Sequence, residues 1–162
     1  MKELLFARSA SFITSAVYPK AYPDTGDLPE VAIAGRSNVG KSTLINGLVN
    51  QKRLAKVSNT PGRTQLLNFF LINQSFVLCD LPGYGYANNS KQVIKELKLI
   101  HESYFKTRRQ LLYTFLLIDI RHDLQKIDLE FMEYLNSSVS PFVIVFTKSD
   151  KIKSDLIDKK VK

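Results

Sequence analysis

The sequence predicts an α/β fold in which a mostly parallel sheet carries helices on both faces. Apolar segments typical of strands alternate along the chain with amphipathic segments typical of helices, the order that builds a parallel sheet. A hairpin in the first half adds one antiparallel strand, expected at the sheet edge. With 162 residues, the chain has the length of one domain.

The first elements follow from local patterns. Residues 1–28 contain Pro19, Pro23 and Gly26 and are interpreted as an irregular N-terminal arm, with residues 29–162 forming the folded domain. The segments EVAIAG (30–35) and KSTLINGLVN (41–50) predict a strand followed by a helix. Two further strands, at 65–73 and 75–80, are joined by a predicted tight turn at Asn73 and Gln74.

The second half continues the alternation. Residues 90–110 predict a long amphipathic helix, residues 112–119 a buried strand, residues 124–136 a helix and residues 141–147 another buried strand. Only KSDKIKSDLIDKKVK follows, which suffices to begin a helix but not to complete another strand and helix. The last strand is therefore expected to have an exposed edge or an unusual covering.

Composition excludes several classes of protein. The one cysteine, Cys79, permits no internal disulfide and favours a reducing, cytoplasmic setting. His101 and His122 have no matching ligand or nucleophile nearby and are interpreted as non-catalytic. No apolar run reaches the roughly 18 residues of a membrane span. The net charge of +8 favours an anionic partner, although a lysine-rich solvated surface would give the same value.

A phosphate-binding motif lies between the first predicted strand and the first helix. GRSNVGKST matches G-x-x-x-x-G-K-[ST], the signature of P-loop nucleoside triphosphatases. Its glycines let backbone N–H groups converge on phosphate oxygens, and the helix start directs its dipole at the same anion. Lys41 is expected to reach the β- and γ-phosphates and Ser42 to join Mg²⁺ coordination. The predicted contacts are Gly35, Arg36, Ser37, Asn38, Val39, Gly40, Lys41, Ser42 and Thr43.

The strand that ends at Asp80 predicts the metal side of the same site. Asp80, Leu81, Pro82 and Gly83 form a D-x-x-G sequence. A carboxylate at this place can hold Mg²⁺ through a bound water, while the Gly83 N–H can meet the γ-phosphate. A strand-end aspartate that only caps a turn is the alternative, and the upstream phosphate motif favours the functional interpretation.

The residues TKSD, which directly follow the last predicted strand, suggest guanine as the base. Asp150 can accept hydrogen bonds from two guanine donors that adenine lacks, and its burial would penalise adenine. Lys148 is expected to lie along the base and brace the phosphate loop. Thr147, Lys148, Ser149 and Asp150 are the predicted contacts, although such a sequence is often only a solvated turn.

A mobile segment between these motifs is expected to sense the γ-phosphate. SNTPGRTQ, residues 58–65, supplies Gly62, Arg63 and Thr64 as candidate nucleotide contacts. A threonine of this segment is expected to join Ser42 and Asp80 in the Mg²⁺ shell, because GTPases order a threonine here. Thr64 is the first choice for this role and Thr60 the second. Lys41, Thr64 and Gly83 are the candidate catalytic residues.

With these residues placed, the chain resembles the EngB family of bacterial ribosome-assembly GTPases. The resemblance rests on GRSNVGKSTLING, SNTPGRTQLLNFF, DLPGYGYA, LLIDIRHDLQKID and TKSDK. It implies a Ras-like P-loop G domain that binds GTP and GDP with Mg²⁺, acts as a monomer in assembling the large ribosomal subunit, and serves normal growth and division. Ribosomal RNA is the implied partner of the basic residues Lys52, Arg53, Lys56, Arg63, Arg108 and Arg109.

The chain departs from that family in one respect and from many GTPases in another. Family members continue with a strand, a guanine-contacting loop and a final helix, so the domain is expected to be C-terminally incomplete and to bind guanine more weakly. Tyr84 stands where many GTPases place a water-orienting glutamine, which predicts slow hydrolysis that a ribosomal partner or K⁺ bound near Asn38 accelerates. The alternatives are an RNA-binding switch without turnover and a small-molecule kinase.

Overall fold

Six strands form one sheet in the computed structural model, which describes residues 7, 9–51, 54–55, 66–85 and 90–161. Their order across the sheet is β1-β3-β4-β2-β5-β6. The strands are β1 (Ala10–Ala16), β2 (Glu30–Gly35), β3 (Leu67–Ile72), β4 (Phe76–Asp80), β5 (Leu111–Asp119) and β6 (Phe142–Thr147). The helices are α1 (Lys41–Leu48), α2 (Lys91–Thr107), α3 (Lys126–Ser137) and α4 (Ser154–Val161).

The pairing confirms the predicted α/β class. Strand β2 is parallel to β4 and β5, β5 is parallel to β6, and β3 runs antiparallel to its neighbours. The β3–β4 hairpin turns at Asn73 and Gln74, whose φ angles of 50° and 56° suit a tight type I′ turn. The central strands therefore end at one edge of the sheet, where an α/β fold binds its ligands.

The N-terminal segment differs from the sequence expectation. Residues 10–16 belong to the sheet as β1, which pairs antiparallel with β3 from Ala10 opposite Ile72 to Ala16 opposite Leu67. The antiparallel hairpin strand is thus one place in from the edge. The sequence ASFITSA gives no clear strand signal. Only Ala16 of these seven residues is buried, so apolar and polar side chains do not alternate along the segment.

Two apolar layers enclose the sheet. On one face, residues such as Ala32, Phe69 and Leu116 pack with Tyr104 of α2 and Leu135 of α3. On the other, a second set with α1 contains Ile33, Ile45, Phe70, Leu78 and Leu117. Successive residues of a strand point to opposite faces, so both faces of the central strands are buried, as continuous apolar runs indicate.

Strand β6 lies at the sheet edge and is less buried than predicted. Val143 and Ile144, which point to opposite faces, are 47% and 40% exposed. The expectation of a buried strand is therefore wrong, whereas the expected exposed edge is found. A short 3-10 turn at Ser149–Lys151 and helix α4 follow, which confirms that this segment begins a helix.

A buried ion pair ties the N-terminal segment to the domain. Arg108 donates from Nε to Glu30 over 2.8 Å, and its guanidinium also reaches the Pro23 carbonyl and the Thr25 hydroxyl. Tyr104 donates its hydroxyl to the other Glu30 carboxylate oxygen. The Arg108 side chain is only 8% exposed. The expected contact of Arg108 with RNA is therefore not supported, whereas Arg109 is exposed.

Candidate nucleotide-binding site

The loop from β2 to α1 has the shape that the phosphate motif requires. A Cβ on Gly35 would lie 2.8 Å from Val39 Cγ1 and 2.9 Å from the Leu117 carbonyl, so only glycine fits this close approach. Gly40 precedes α1 with φ of 110°, a conformation that favours glycine. The helix begins at Lys41, and its free N–H groups face the loop.

Lys41 and Asp80 meet beside this loop. Burial lowers the pKa of Lys41, which the Asp80 carboxylate opposes. Burial raises the pKa of Asp80 to about 6, which Lys41 opposes. The Asp80 Oδ1 atom is buried and makes no hydrogen bond within the described part of the chain. Such an oxygen, close to an ammonium group and a helix start, is suited to a cation with its water or to a protonated state.

The residues here fit Mg²⁺ better than a metal held wholly by protein. The described ranges contain no cluster of three or more histidine, cysteine, aspartate or glutamate side chains that could hold a metal. Mg²⁺ commonly takes one or two protein oxygens and completes its shell with phosphates and water. Asp80 at the end of β4 and Ser42 in the first turn of α1 supply such oxygens.

The D-x-x-G loop packs directly on the phosphate loop. The Leu81 N–H donates to the Ile33 carbonyl over 3.0 Å, which continues the β2–β4 pairing. The Ser37 N–H donates to the Tyr84 carbonyl over 3.0 Å. A Cβ on Gly83 would lie 2.9 Å from the Ser37 nitrogen, so this contact also requires glycine. The Tyr84 ring points away into the core and is 6% exposed.

The TKSD segment braces the phosphate loop from the other side. Thr147 donates its hydroxyl to the Val39 carbonyl over 2.8 Å. Lys148 donates to the Asn38 carbonyl over 2.7 Å and pairs with Asp119 at 2.9 Å. The expected bracing by Lys148 is thus present, and three sequence motifs meet at one edge of the sheet.

Asp150 differs from its expected burial. Its carboxylate is 70% exposed and lies 3.1 Å from the Lys151 ammonium group. It sits in the short turn after β6, at the exposed sheet edge, and no described residue buries it. Ser149 beside it is exposed too. The argument that an unpaired buried Asp150 would strongly penalise adenine therefore does not hold for this conformation.

Asp119 is the residue of this site that sequence reasoning missed. It ends β5 and accepts hydrogen bonds from the Arg121 backbone N–H and guanidinium as well as from Lys148. These donors, Arg121 above all, hold the pKa of Asp119 well below its usual range. The signal was available, since Asp119 is a second aspartate at the carboxyl end of a parallel strand, as Asp80 is.

A cavity of about 190 Å³ adjoins the phosphate loop on the side of Lys148 and Asp119. Its walls combine the loop itself, the end of β5 and the start of α3. The lining residues are Arg36, Ser37, Asn38, Val39, Leu117, Ile118, Asp119, Arg121, His122, Asp123, Asp128 and Lys148.

The candidate residues of the first switch lie outside the described residues. They are Thr60, Gly62, Arg63 and Thr64, together with the basic residues Lys52, Arg53 and Lys56. The other predicted contacts lie from the end of β2 to the first turn of α1, at and just after the end of β4, and at and just after the end of β6. Among the described helices, none is long and apolar enough to cross a membrane.

Comparisons with known proteins agree with this site. A family model described as "50S ribosome-binding GTPase" matches residues 30–148. The chain is 50% identical to a probable GTP-binding protein EngB of Caulobacter vibrioides, covering 98% of this chain and 69% of that protein. It is 52% identical to the Flavobacterium johnsoniae protein of the same name, over 93% of this chain and 71% of that one.

Solved structures share the same fold. A crystal structure of a probable GTP-binding protein EngB matches with a TM-score of 0.62 at 26% identity, over 81% of this chain and 79% of that one. Era in complex with MgGDPNP and nucleotides 1506–1542 of 16S ribosomal RNA matches with a TM-score of 0.62 at 25% identity. The match covers 82% of this chain and 46% of Era. By sequence, family model and fold together, this chain belongs to the EngB family of P-loop GTP-binding proteins and is a GTPase.

Proposed function

We propose that this chain binds GTP and GDP with Mg²⁺, hydrolyses GTP slowly, and uses this cycle to assist assembly of the large ribosomal subunit in the cytoplasm. The observation that carries the proposal is the meeting of three motifs at one sheet edge. There, Lys148 and Thr147 hold the phosphate-loop carbonyls of Asn38 and Val39. A loop fixed in this way is preorganised: its N–H groups already point into the anion site when no anion is bound.

The residues of the site divide the physical tasks of this proposal among them. Lys41 neutralises charge on the β- and γ-phosphates, and Gly83 donates its N–H to the γ-phosphate. Ser42, Asp80 and Thr64 hold Mg²⁺, Asp80 through a water, and the ion when bound would neutralise charge on the phosphate oxygens. Thr147, Lys148, Ser149 and Asp150 contact the guanine, with Asp150 moving from its solvent-exposed position onto the base.

Slow hydrolysis follows from the position of Tyr84. Its ring is buried in the apolar core, so it offers no exposed group that could orient an attacking water. A ribosomal partner or a K⁺ ion would then have to complete the site. Asn38 is the candidate K⁺ ligand because it is exposed within the phosphate loop and its carbonyl is already fixed by Lys148.

Charge and relatives support an RNA-containing partner. The net charge is +8, and the family model carries the words "50S ribosome-binding". The structural neighbour Era has been crystallised with ribosomal RNA. Arg109 and four lysines of α2, Lys91, Lys95, Lys98 and Lys106, are exposed and could meet phosphates. We further propose that the protein acts as a monomer and is needed for normal growth and division.

Nucleotide specificity is tested by competition. A fluorescent GDP bound in the presence of Mg²⁺ should be displaced by GTP and GDP but not by the same concentrations of ADP and ATP. Lys41→Ala should abolish binding of the probe while leaving the thermal unfolding temperature close to that of the wild type. Equal displacement by ADP and GDP would contradict the assignment of guanine and favour a kinase-like site.

Partner and turnover are tested together with purified large ribosomal subunits. Co-sedimentation should be stronger with a non-hydrolysable GTP analogue than with GDP, and single-turnover hydrolysis should accelerate when subunits or K⁺ are added. Arg109→Glu should weaken co-sedimentation and reduce the salt dependence of binding by about one phosphate contact. Lys126→Glu, at a well-exposed lysine of α3, is the control. Nucleotide-dependent binding without any turnover would support a switch instead of an enzyme.

A further inference from the structure

The Tyr84 side chain has a polar partner that phosphate binding does not explain. Its hydroxyl donates to the Asp128 Oδ1 atom over 3.0 Å. Its ring stacks on Phe131 with centroids 4.6 Å apart and an interplanar angle of 21°. Asp128 and Phe131 both belong to α3, and Asp128 is 2% exposed. Tyr84, which directly follows the D-x-x-G loop, is therefore bonded to a residue of α3 that lies 44 positions later in the chain.

Asp128 is also held in place by contacts within its own helix start. Its second carboxylate oxygen accepts the Gln125 backbone N–H over 3.1 Å, and the Asp128 N–H donates to the Gln125 backbone carbonyl over 2.9 Å. These reciprocal hydrogen bonds hold the first turn of α3. Because the helix start itself orients the carboxylate, Asp128 offers Tyr84 a rigid acceptor in a buried place, where hydrogen bonds to charged groups are strong.

A second hydrogen bond holds the same loop, and it comes from α2. His101 is buried, and its Nε2 atom lies 2.9 Å from the Pro82 carbonyl. Burial lowers the pKa of His101 to about 4, so the ring is neutral near pH 7. Because a carbonyl only accepts, Nε2 carries the proton and donates. The His101 ring also meets the Phe131 ring edge to face at 5.3 Å, so both hydrogen-bonded side chains contact Phe131.

These contacts set the position of Gly83. The loop is held at Pro82 by His101 and at Tyr84 by α3, one residue to either side of Gly83. Between them, the backbone lies against the phosphate loop, with the Ser37 N–H bonded to the Tyr84 carbonyl. A glycine held at both neighbours has little freedom, which reduces the entropy that a ligand must overcome on binding its N–H.

We propose that Tyr84, Asp128, Phe131 and His101 form a latch that positions the D-x-x-G loop for recognition of the γ-phosphate. They are positioning residues, since they act through Gly83 and do not touch the nucleotide. The latch connects both α2 and α3 to the loop that is expected to meet the γ-phosphate. The inference rests on the proposed function in one respect, namely that Gly83 contacts the γ-phosphate.

A purely structural role makes a different prediction. A buried tyrosine with a satisfied hydroxyl could serve only core packing, and its loss would then weaken folding and reduce affinity for GTP and GDP alike. A positioning role changes the ratio of the two affinities, because only GTP has the group that Gly83 meets. The measured quantity is therefore the ratio of the Kd for GDP to the Kd for a non-hydrolysable GTP analogue.

The experiment compares two tyrosines that lose the same hydroxyl. Tyr84→Phe should weaken binding of the GTP analogue about three- to tenfold while the Kd for GDP stays within about twofold. Tyr104→Phe is the matched control, since Tyr104 also donates to a buried carboxylate, Glu30, at the far end of β2. It should lower the urea midpoint of unfolding and leave the affinity ratio unchanged.

A double-mutant cycle assigns the effect to Asp128. Asp128→Ala should lower the same ratio, and Tyr84→Phe should add little in that background, because each change removes the hydrogen bond between Tyr84 and Asp128. An unchanged ratio, a raised ratio or additive effects would each overturn the latch. Failure of the wild type to prefer guanine over adenine nucleotides would instead overturn the proposed function. The two failures are thus distinguishable.

Discussion

At the scale of single residues, the site depends on charged side chains that fix one another's positions through ion pairs and hydrogen bonds. Asp119 fixes Lys148, and Lys148 in turn holds the Asn38 carbonyl of the phosphate loop. Asp119 also gathers three hydrogen bonds from Arg121, so its carboxylate is fixed in place. Its influence on nucleotide binding is therefore indirect and passes through the ammonium group of Lys148.

Asp119→Asn should weaken GDP binding about tenfold, because Lys148 loses a charged partner worth about 1.5–3 kcal/mol. The control is Asp158→Asn, at an exposed carboxylate of α4 that does not line the cavity. Isothermal titration with GDP and Mg²⁺ should show no change in the control variant. Equal affinities for all three proteins would contradict the role given to Asp119.

His101 predicts a pH dependence of stability. Its pKa of about 4 in the folded protein lies below the ordinary value of 6.5, first because of burial and also because of Lys41 nearby. As the pH falls below 6.5, His101 binds a proton in the unfolded chain but stays neutral in the folded protein. The free energy of unfolding should therefore fall between pH 6.5 and pH 4, by about 3 kcal/mol in total.

Urea unfolding of wild type and His101→Gln across this range isolates the contribution. Glutamine can still donate to Pro82 but does not titrate, so the variant should lack this loss of stability, whatever other groups contribute to both proteins. Parallel curves for the two proteins would show that His101 is not the group responsible.

At the scale of elements, the phosphate loop is shaped by close contacts at Gly35. Gly35→Ala should destabilise the protein by about 1–3 kcal/mol, because the new Cβ would overlap Val39 and the Leu117 backbone. Gly47→Ala in α1 should instead stabilise it by up to about 1 kcal/mol, since nothing lies within 4 Å of a Cβ there. Urea unfolding of both variants gives the comparison, and the same sign for both would contradict it.

At the scale of the whole molecule, one buried ion pair connects elements that are far apart in sequence. Glu30 begins β2, Arg108 follows α2, and the loop around Pro23 and Thr25 completes the contacts. The guanidinium also lies 5.3 Å from the centre of the Phe69 ring. This end of the sheet is opposite the nucleotide site, so its role is in stability.

Arg108→Ala should lower the free energy of unfolding by about 3–5 kcal/mol, because the Glu30 carboxylate would stay buried without its partner. Arg109→Ala, at the adjacent exposed residue, should change it by less than about 0.5 kcal/mol. Chemical unfolding followed by far-ultraviolet circular dichroism measures both. Similar small effects would mean that water reaches Glu30 when the arginine is removed.

The sequence by itself determined the fold class and the nucleotide motifs, because these are local patterns. Strand periodicity predicts β2 and β4, and a glycine motif between a strand and a helix predicts the loop from Gly35 to Ser42. Asp80 and Lys148 were predictable for the same reason, since each follows a recognisable strand. The parallel arrangement then brings these strand ends together.

Only the tertiary structure decided which side chains are buried and which of them pair. The bond from Tyr84 to Asp128, the pairing of Arg108 with Glu30, the exposure of Asp150 and the place of β1 all depend on residues distant in sequence. Such contacts form where packed elements exclude water, and no local pattern of residues encodes that. For this reason the sequence gives the identity of the site, whereas the packing shows what holds it in place.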